Sequence, residues 1–561
     1  MQISKTRRGA QNRDKTLRLV INTVRYDPFS YRYPSRRNLV YGSKGMVAAS
    51  NPLAASAGME VLKKGGNAVD AAVATASALT VVEPISNGIG SDAFAIIWQD
   101  GRLWGLNGSG PAPSSFSIGK FHSLGYRESP PRFGWAASTV PGAPATWEAL
   151  VSRMGRLPLS ESLKPAISYA RDGYAVSVNV SRFWKEALKI FSSLSSGAGD
   201  AHSGWFAAFC PDGRAPEPGE RFRSPGHAYT LETIAAQGVE SFYRGEIARK
   251  ILEFSRRTGG FFTEGDLASF QPEWVEPISL NYRGYDVWEL PPNGQGIVAL
   301  QALGIISGFD FADHDSPAVP HRQIEAIKMA FADALRYVAD PRFAEDPTAR
   351  LLSNEHIKGR RRQIQDIAQD FNAGDPYSGG TVYLSAADAD GCMVSYIQSN
   401  YRGFGAAVAI PDTGISLNNR AGCFSLDPEH PNALAPGKRP YNTIIPGFIS
   451  KDGRPIGPFG VMGGYMQPQG HLQVVMNCVD FNMNPQEALD APRWQWMGGL
   501  KVACEPGFEN NTVQKLQRMG HEVSCAANPF GFGRGQIIWR TGHGTLVGAT
   551  EPRTDGCVEA W

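Results

Sequence analysis

The sequence predicts an α+β fold in which β-sheets are covered by layers of helices. Two observations lead to this prediction. Helical spacing of apolar residues dominates residues 140–370, and short, mostly apolar strands separated by turns follow from residue 381. Helical spacing then returns towards the C-terminus, and blocks of helices and strands in this order are typical of sheets packed against helices.

The folded part is predicted to begin near Tyr41. Four elements follow in order: a strand at residues 45–50, a helix at 53–64, a helix at 68–82 and a strand at 93–98. Asn51 is a favoured N-cap for the first helix, and Gly65 is a favoured residue just after its end. The second helix is rich in alanine, so we expect it to pack closely against a neighbour.

The rest of the chain divides at a linker. Further helices are predicted at residues 145–153, 162–171, 322–339, 469–479 and 513–519, and further strands at 381–387, 392–398, 406–410 and 444–449. The strands at 381–387 and 392–398 form a hairpin around an Asp-Gly turn. Residues 366–380 are polar, rich in glycine and interrupted by Pro376, which predicts a mobile linker directly before that hairpin.

Bulk composition excludes several functional classes. Apolar residues make up 42% and charged residues 19% of the 561 residues, as in globular proteins. A net charge of +2 gives no general reason to expect nucleic acid or a membrane surface as a partner. The mostly apolar run at residues 71–82 is too short to span a bilayer, which takes about 18 residues or more.

The cysteines argue against a metal site. There are seven, at irregular spacings and without a CxxC pair, so neither a disulfide framework nor a zinc site is expected. Reduced thiols in the cytoplasm are the simpler interpretation. We also expect no cofactor, because the loose dinucleotide-binding pattern at residues 88–93 follows a predicted helix and not a strand.

The first 37 residues form a basic segment, with ten Lys and Arg against Asp14 and Asp27. Arg18 interrupts its one apolar stretch, and no small-residue cleavage site follows, so a targeting leader is disfavoured. We predict a disordered arm over residues 1–40. A role at a membrane surface or on nucleic acid is the minor alternative.

Thr381 is the candidate nucleophile. A threonine hydroxyl is a weak nucleophile at neutral pH and needs a base within hydrogen-bond reach. If the chain is cut between Gly380 and Thr381, the new α-amine, with a pKa of about 8, lies on the same residue and can accept the hydroxyl proton. A strand that begins Gly-Gly-Thr-Val is more often purely structural, so this prediction depends on the motifs that accompany it.

Two further motifs could complete such a site. The Gly463-Gly464 pair would let backbone N–H groups approach a reacting carbonyl and hold its oxyanion, although a tight turn is the simpler interpretation. Asn442 and Thr443 can form hydrogen bonds, and they follow Pro440, whose ring fixes the backbone φ angle. A solvated loop is the simpler interpretation of this segment.

A series of blocks resembles the gamma-glutamyltranspeptidase family over about residues 43–555. The blocks are GMVA at 45–48, GGNAVDAA at 65–72, the Thr381 strand, LNN at 417–419, FS at 424–425, GKRP at 437–440, GG at 463–464, APR at 491–493 and GATEPR at 548–553. The resemblance implies a four-layer αββα sandwich of the N-terminal-nucleophile hydrolase type. It also implies one precursor cut into a large subunit, residues 41–380, and a small subunit, residues 381–561.

The same resemblance assigns roles to individual residues. It implies that the cut falls between Gly380 and Thr381, that Thr381 is the nucleophile and that Ser399 is a second hydroxyl beside it. It further implies that Gly463 and Gly464 form the oxyanion hole.

The chain departs from the family's transpeptidases in the substrate pocket. Their carboxylate-binding arginine has no counterpart in residues 107–113 (NGSGPAP), and Cys423 stands where they have an ammonium-binding aspartate. Asn442-Thr443 replaces their serine pair. An ammonium group without a carboxylate partner binds poorly in a partly desolvated site. The segment that forms their lid, residues 426–436 here, is also short, which favours hydrolysis over transfer.

Two arginines could replace the lost charged groups. Arg420 and Arg402 lie near the predicted pocket, and either guanidinium could bind a substrate carboxylate through two nitrogens. A structural salt bridge is an equally good interpretation of Arg420. The pattern resembles the family's hydrolase branch, which includes oxamate amidohydrolase and is related to cephalosporin acylases.

Three functions therefore remain open. The first is a self-processing amidohydrolase that cleaves gamma-glutamyl-like or related acyl amides of small molecules through a threonyl acyl-enzyme, with hydrolysis favoured; a dimer of heterodimers is the assembly considered. The second is a gamma-glutamyltransferase or glutathione hydrolase. The third is an uncut, non-catalytic binding protein with the same fold.

Overall fold

The structure is a computed structural model and describes residues 37–194, 199–371 and 380–561. The predicted basic arm at residues 1–40 lies outside this range except for its last four residues, and residues 372–379 of the predicted linker also lie outside it. Among the described helices, none combines the length and the apolar character that crossing a membrane requires.

The bounds of the elements are as follows. The helices are α1 (Pro52–Lys63), α2 (Ala68–Val82), α3 (Ile118–Ser123), α4 (Ala143–Met154), α5 (Leu159–Asp172), α6 (Val178–Ser192), α7 (Ser203–Phe209), α8 (Pro225–Gln237), α9 (Glu240–Tyr243), α10 (Glu246–Arg257), α11 (Glu264–Ala268), α12 (Gly296–Ile306), α13 (Ala318–Tyr337), α14 (Thr348–Leu351), α15 (Asn354–Arg361), α16 (Met466–Val479), α17 (Pro485–Asp490) and α18 (Asn510–Arg518). The strands are β1 (Val40–Gly42), β2 (Gly45–Ala49), β3 (Asp92–Gln99), β4 (Arg102–Gly108), β5 (Tyr174–Ala175), β6 (Arg221–Phe222), β7 (Glu273–Val275), β8 (Ile278–Tyr282), β9 (Tyr285–Glu289), β10 (Gly380–Asp388), β11 (Met393–Tyr401), β12 (Gly447–Lys451), β13 (Arg454–Met462), β14 (Trp494–Trp496), β15 (Lys501–Cys504), β16 (Glu522–Cys525), β17 (Arg534–Arg540), β18 (Leu546–Thr550) and β19 (Cys557–Ala560).

Two seven-stranded antiparallel sheets form the centre of the fold. The first sheet has the order β1-β18-β17-β13-β12-β9-β8, and the second has the order β19-β2-β10-β11-β3-β4-β7. Each sheet combines strands from before and after residue 380. The two halves of the chain are therefore interleaved, and neither half contains a complete sheet.

The two sheets pack face to face. Phe94, Tyr383 and Ile397 of the second sheet meet Phe448 and Ile538 of the first in one buried apolar cluster. A second apolar cluster joins the second sheet to α1, α2, α4 and α5, and a third joins the first sheet to α12, α13 and α16. The predicted αββα sandwich is confirmed.

Local predictions near the N-terminus are confirmed closely. The second predicted helix coincides with α2, every residue of which is buried. The Asn51 side chain accepts a hydrogen bond from the Leu53 N–H and caps α1. The close packing expected of α2 occurs at Gly58 of α1, where a Cβ atom would lie 2.3 Å from Thr75 Oγ1.

Two strand predictions need correction, and several strands were not predicted. Residues 406–410 are not a regular strand but turns with one isolated bridge, because Phe404 and Ala407 have φ angles of 42° and 57° that interrupt an extended chain. The strand predicted at 444–449 begins only at Gly447, directly after Pro446, which lacks an N–H to donate. Strands β7, β8 and β9 were missed, although Arg283-Gly284 between two alternating runs is a turn signal.

Candidate active site

Thr381 lies near the start of β10, at one end of the space between the sheets, and its side chain is fully buried. Strand pairing joins Gly380 to Tyr401 and Val382 to Gln398, so the single residue Thr381 faces two residues of β11. Such a bulge re-aims side chains and is frequent beside active sites. It brings the Thr381 hydroxyl next to Ser399.

Ser399 connects the nucleophile to the predicted cleavage site. Its Oγ lies 3.0 Å from Thr381 Oγ1 and donates a hydrogen bond to the Gly380 carbonyl oxygen at 2.8 Å. The Tyr401 N–H donates to the same Ser399 oxygen at 2.8 Å. Because the Ser399 hydrogen is directed at Gly380, its oxygen accepts from Thr381. One hydroxyl thus contacts both the carbonyl at the predicted cleavage site and the predicted nucleophile.

Gly463 and Gly464 connect β13 to α16, with φ angles of 141° and 63° that favour glycine. Gln295 Nε2 donates to the carbonyl oxygens of Gly464 at 2.9 Å and Thr443 at 2.6 Å, so one amide holds both segments. Gly463 lines the same cavity as Gly380. This placement agrees with an oxyanion hole at Gly463 and Gly464, which stays a prediction.

Arg420 is fully buried in an ion pair. Its Nε donates to Asp92 Oδ2 at 3.0 Å and its Nη1 donates to Thr443 Oγ1 at 2.7 Å. Its Nη2 has no hydrogen-bond partner among the described residues. The Tyr401 ring lies 4.7 Å from the guanidinium carbon. Arg420 therefore has one nitrogen to offer a substrate, and not the two that a bidentate grip would take.

Asp92 is the residue of this site that sequence reasoning missed. It is the first residue of β3 and pairs across the sheet with Ser399. Its Oδ1 accepts from the Gly110 N–H at 3.0 Å, and its Oδ2 accepts from Arg420 and from Asn442 Nδ2 at 3.1 Å. Burial raises the pKa of Asp92, while Arg420, Gly110 and Asn442 act in the opposite direction. The sequence signal was a lone acidic residue opening an otherwise apolar strand.

The other predicted binding residues occupy two sides of the site. Asn442 and Thr443 are fully buried beside Asp92 and Arg420. Arg402 lines the cavity that contains Gly380, and its Nη2 donates to the Tyr401 hydroxyl at 3.3 Å. The structure thus brings all the predicted site residues to one end of the sandwich.

Cys423, which the resemblance places at the position of the family's aspartate, lies beside Arg420 and Tyr401. Burial raises the pKa of its thiol, with Arg420 and Tyr401 acting in the opposite direction. It lines a small cavity together with Tyr441 and Tyr465. The thiol offers a substrate ammonium group no negative charge. All seven cysteines are unpaired in the structure.

One cluster of metal-ligand types occurs among the described residues, at His321, Glu325 and His521. Hydrogen bonds account for it. His321 Nδ1 lies 2.9 Å from His521 Nε2, and Lys328 Nζ donates to Glu325 at 2.8 Å. A buried ammonium group beside the carboxylate opposes a second cation there. The expectation of no metal stays a prediction.

Comparisons with known proteins show the family of this chain. The family model described as Gamma-glutamyltranspeptidase matches residues 54–561. The Glutathione hydrolase-like YwrD proenzyme of Bacillus subtilis (strain 168) is 36% identical over 532 residues, which cover 92% of this chain and 99% of the relative. The Oxamate amidohydrolase proenzyme of Klebsiella pneumoniae is also 36% identical over 532 residues, covering 92% of this chain and 98% of the relative.

A solved structure shows the same architecture. The cephalosporin acylase from Bacillus halodurans superposes with a TM-score of 0.93 at 55% sequence identity, covering 96% of this chain and 99% of that one. Identity at this level across nearly the whole length covers both the sandwich and the segments that carry Thr381 and Ser399. The chain therefore belongs to the gamma-glutamyltranspeptidase family and is a self-processing amidohydrolase of the N-terminal-nucleophile type.

Proposed function

We propose that the chain cuts itself between Gly380 and Thr381. Thr381 Oγ1 attacks the Gly380 carbonyl carbon, and its proton passes to the Ser399 oxygen as the Ser399 hydrogen moves onto the former carbonyl oxygen, so that Ser399 stays neutral. The proton then moves on to the amide nitrogen as the carbonyl re-forms. The C–N bond breaks, the new amine is released, and an ester joins Gly380 to Thr381. Water then hydrolyses the ester, leaving a carboxylate on Gly380 and a free hydroxyl and α-amine on Thr381. The contact of Ser399 with both reacting groups carries this proposal.

The same hydroxyl is the nucleophile towards amide substrates. The neutral α-amine of Thr381 accepts the Oγ1 proton, the substrate amine leaves with a proton, and the acyl group stays as a threonyl ester. Water attacks this ester and releases a carboxylic acid. Gly463 and Gly464 would hold the oxyanion in both steps.

We infer that the acyl group carries a carboxylate. Arg402, which lines the cavity beside Gly380, is the cationic group that supports this. Asp92 is not open to a substrate ammonium group, because it is fully buried and its charge is paired with Arg420. Gamma-glutamyl donors, which carry an ammonium group, are therefore disfavoured.

Hydrolysis is proposed to exceed transfer to a second amine. The short segment after Ser425 turns back on itself, with Leu434 N–H donating to the Ser425 carbonyl at 2.9 Å and Ser425 N–H donating to Asn432 at 3.1 Å. A compact turn of this kind supports access of water to the acyl-enzyme. Glutathione hydrolase activity is the second candidate, because relatives in Escherichia coli and Bacillus subtilis, 32% and 28% identical to this chain, carry that name.

The processing test uses wild type and Thr381→Ala. The wild type should give two polypeptides on a denaturing gel, the smaller beginning Thr-Val-Tyr-Leu and containing 181 residues (561 − 380). Thr381→Ala should stay uncut and inactive. A wild-type chain that stays intact on long incubation would support the non-catalytic binding protein instead.

The substrate test uses a panel of oxamate, glutaryl amides and gamma-glutamyl anilide on the mature enzyme. We expect turnover of carboxylate-bearing acyl amides, without stimulation by an added dipeptide. Strong stimulation of gamma-glutamyl anilide turnover by the dipeptide would establish the transferase alternative.

We also propose a cytoplasmic location and a dimer of heterodimers. Seven unpaired cysteines, including Cys423 in the pocket, support a reducing compartment. Counting reactive thiols in freshly isolated, denatured protein tests the cytoplasmic location. Analytical ultracentrifugation tests the dimer of heterodimers.

A further inference from the structure

A cavity of about 230 Å³ lies directly beside the cleavage site. Gly380 and Gly463 form part of its wall, so it adjoins both the scissile carbonyl and the predicted oxyanion hole. An acyl group esterified to Thr381 Oγ1 occupies the position that Gly380 takes during self-cleavage, because both are esters of the same oxygen. The substrate's acyl chain is thereby placed in this cavity.

Two arginines from distant parts of the chain line the cavity together. Arg132 lies in the segment between α3 and α4, and Arg402 follows the end of β11. Cleavage after Gly380 would assign the first to the large subunit and the second to the small subunit. The cavity wall is thus complete only when both subunits are present.

The buried side-chain amide of Asn419 links the backbones of the two arginines. Asn419 Oδ1 accepts from the Arg402 N–H at 3.0 Å, and Asn419 Nδ2 donates to the Arg132 carbonyl oxygen at 3.1 Å. Asn419 is 1% exposed, so water does not compete for these bonds. The backbones of the two arginines are therefore fixed relative to each other before any substrate binds.

The charges around the cavity favour an anion. Glu186 is the acidic residue of its wall, against the three arginines Arg132, Arg402 and Arg534, and Arg534 lies 3.7 Å from Glu83. Partial burial lowers the pKa of Arg132, and the Arg402 charge lowers it further. The Arg402 charge thus acts on Arg132 across the cavity, and a carboxylate bound beside Arg132 would offset this repulsion.

Aromatic side chains complete the wall. Phe183, Phe191 and Phe530 supply apolar surface between the two ends of the cavity. A methylene chain that ends in a carboxylate matches this combination of apolar wall and paired guanidinium groups.

We propose that Arg132 and Arg402, held together by Asn419, form the carboxylate-binding site for the acyl group of the substrate, and that Arg132 sets the specificity for an anionic acyl chain. This proposal rests on the proposed function. It assigns the substrate carboxylate to Arg402 and Arg132, while Arg420 stays in its ion pair with Asp92.

The kinetic test compares a charged and a neutral substrate on mature enzyme. Glutaryl-p-nitroanilide carries the carboxylate, and its methyl ester does not. Arg132→Gln should raise KM for the charged anilide about ten- to hundredfold, as expected for loss of a hydrogen bond to a charged group, and should leave the constants for the ester unchanged. The KM of Arg132→Lys for the charged anilide should lie between those of wild type and Arg132→Gln. Arg153→Gln, at a residue stacked on Trp104 and Trp274, is the matched control and should match wild type.

A binding measurement separates this proposal from the catalytic one. Glutarate should bind wild-type mature protein in calorimetry and bind Arg132→Gln at least tenfold more weakly. Binding that depends on Arg132 without turnover of any amide would uphold the carboxylate site and overturn the catalytic proposal. The carboxylate site would be overturned if Arg132→Gln impaired turnover of the charged and the neutral substrate equally. It would also be overturned if Arg132→Gln left glutarate binding unchanged.

Discussion

Arg420 Nε lies 3.0 Å from Asp92 Oδ2, and neither side chain is exposed. Asp92 belongs to β3, before the cleavage site, whereas Arg420 follows it. The ion pair therefore becomes a contact between subunits once the chain is cut. It also supports Thr443 and Asn442, which both bind to the pair. The same two residues therefore stabilise the protein and position the neighbouring side chains of the site.

Asp92→Asn should destabilise the mature protein. The change keeps the size of the side chain but leaves the Arg420 charge buried without a partner, which costs about 3–5 kcal/mol in comparable buried pairs. We expect a clear fall in the melting temperature by differential scanning fluorimetry. The double variant Asp92→Asn/Arg420→Met should be more stable than Asp92→Asn alone, because no buried charge remains. Arg420→Met alone is measured as well, and if its effect and that of Asp92→Asn simply add in the double variant, the ion pair is not the cause.

Ser399→Ala should slow self-cleavage. It removes the hydroxyl that donates to the Gly380 carbonyl and accepts from Thr381, and the loss of one such donor costs about 10²–10³ in rate. A time course of purified precursor on a denaturing gel measures this. Ser399→Thr keeps the hydroxyl and should retain most of the rate.

Ser395→Ala is the matched control for that experiment. Ser395 lies on the same strand, and its hydroxyl contacts the Tyr383 hydroxyl at 2.8 Å, away from the cleavage site. Its variant should process at the wild-type rate. Processing of Ser399→Ala at that same rate would remove Ser399 from the mechanism.

Local features of this fold were predictable from the sequence because local chemistry determines them. Helix α2 follows from its alanine-rich run, and the Asn51 cap follows from a side chain two residues from its partner. The roles of Thr381 and Ser399 came from a family resemblance and not from spacing alone. The structure places the two hydroxyls 3.0 Å apart, and their roles stay predictions.

Features that depend on strand register could not be predicted in the same way. Asp92 is 328 positions from Arg420 in sequence, and only the pairing of β3 with β11 sets it opposite Ser399. One partner of Asn419 is also remote, because Arg132 lies 287 positions before it. No local pattern encodes such pairs, since they form only when the sheet assembles.

Gly460→Ala should destabilise the contact between the two sheets. A Cβ atom at Gly460 of β13 would lie 2.5 Å from the Tyr383 ring of β10, so the strands would have to separate. Overpacking of this kind costs about 1–3 kcal/mol, which should lower the melting temperature measurably. Because β10 carries Thr381, we also expect slower self-cleavage.

Gly542→Ala is the control for Gly460→Ala. A Cβ atom at Gly542 would meet nothing within 4 Å, so this variant should melt and process like wild type. Equal behaviour of the two variants would mean that the sheets tolerate a methyl group at Gly460.

The contribution of His227 to the free energy of unfolding should decline as the pH falls from 7 to 5. It is 1% exposed, and burial lowers its pKa to about 4, with a hydrogen bond to the Thr80 backbone acting in the opposite direction. The pKa of an unfolded histidine is about 6.5, so between about pH 6.5 and 4 the unfolded chain binds a proton that the folded chain does not. The stabilisation is complete above that range and declines through it, by at most about 1.4 kcal/mol per pH unit for one group.

Other buried groups also make stability depend on pH. Burial lowers the pKa of His471 and His521 to about 3, and it raises the pKa of Glu83, whose effect on stability has the opposite sign. A comparison of variants therefore isolates the contribution of His227. Melting temperatures of wild type and His227→Gln are measured at steps between pH 7 and pH 5. The wild type should lose more stability over this range than His227→Gln, whatever the variant's melting temperature at pH 7. The control His543→Gln, at an exposed loop residue, should keep the wild-type slope. Parallel profiles for wild type and His227→Gln would show that His227 is protonated alike in the folded and unfolded chains.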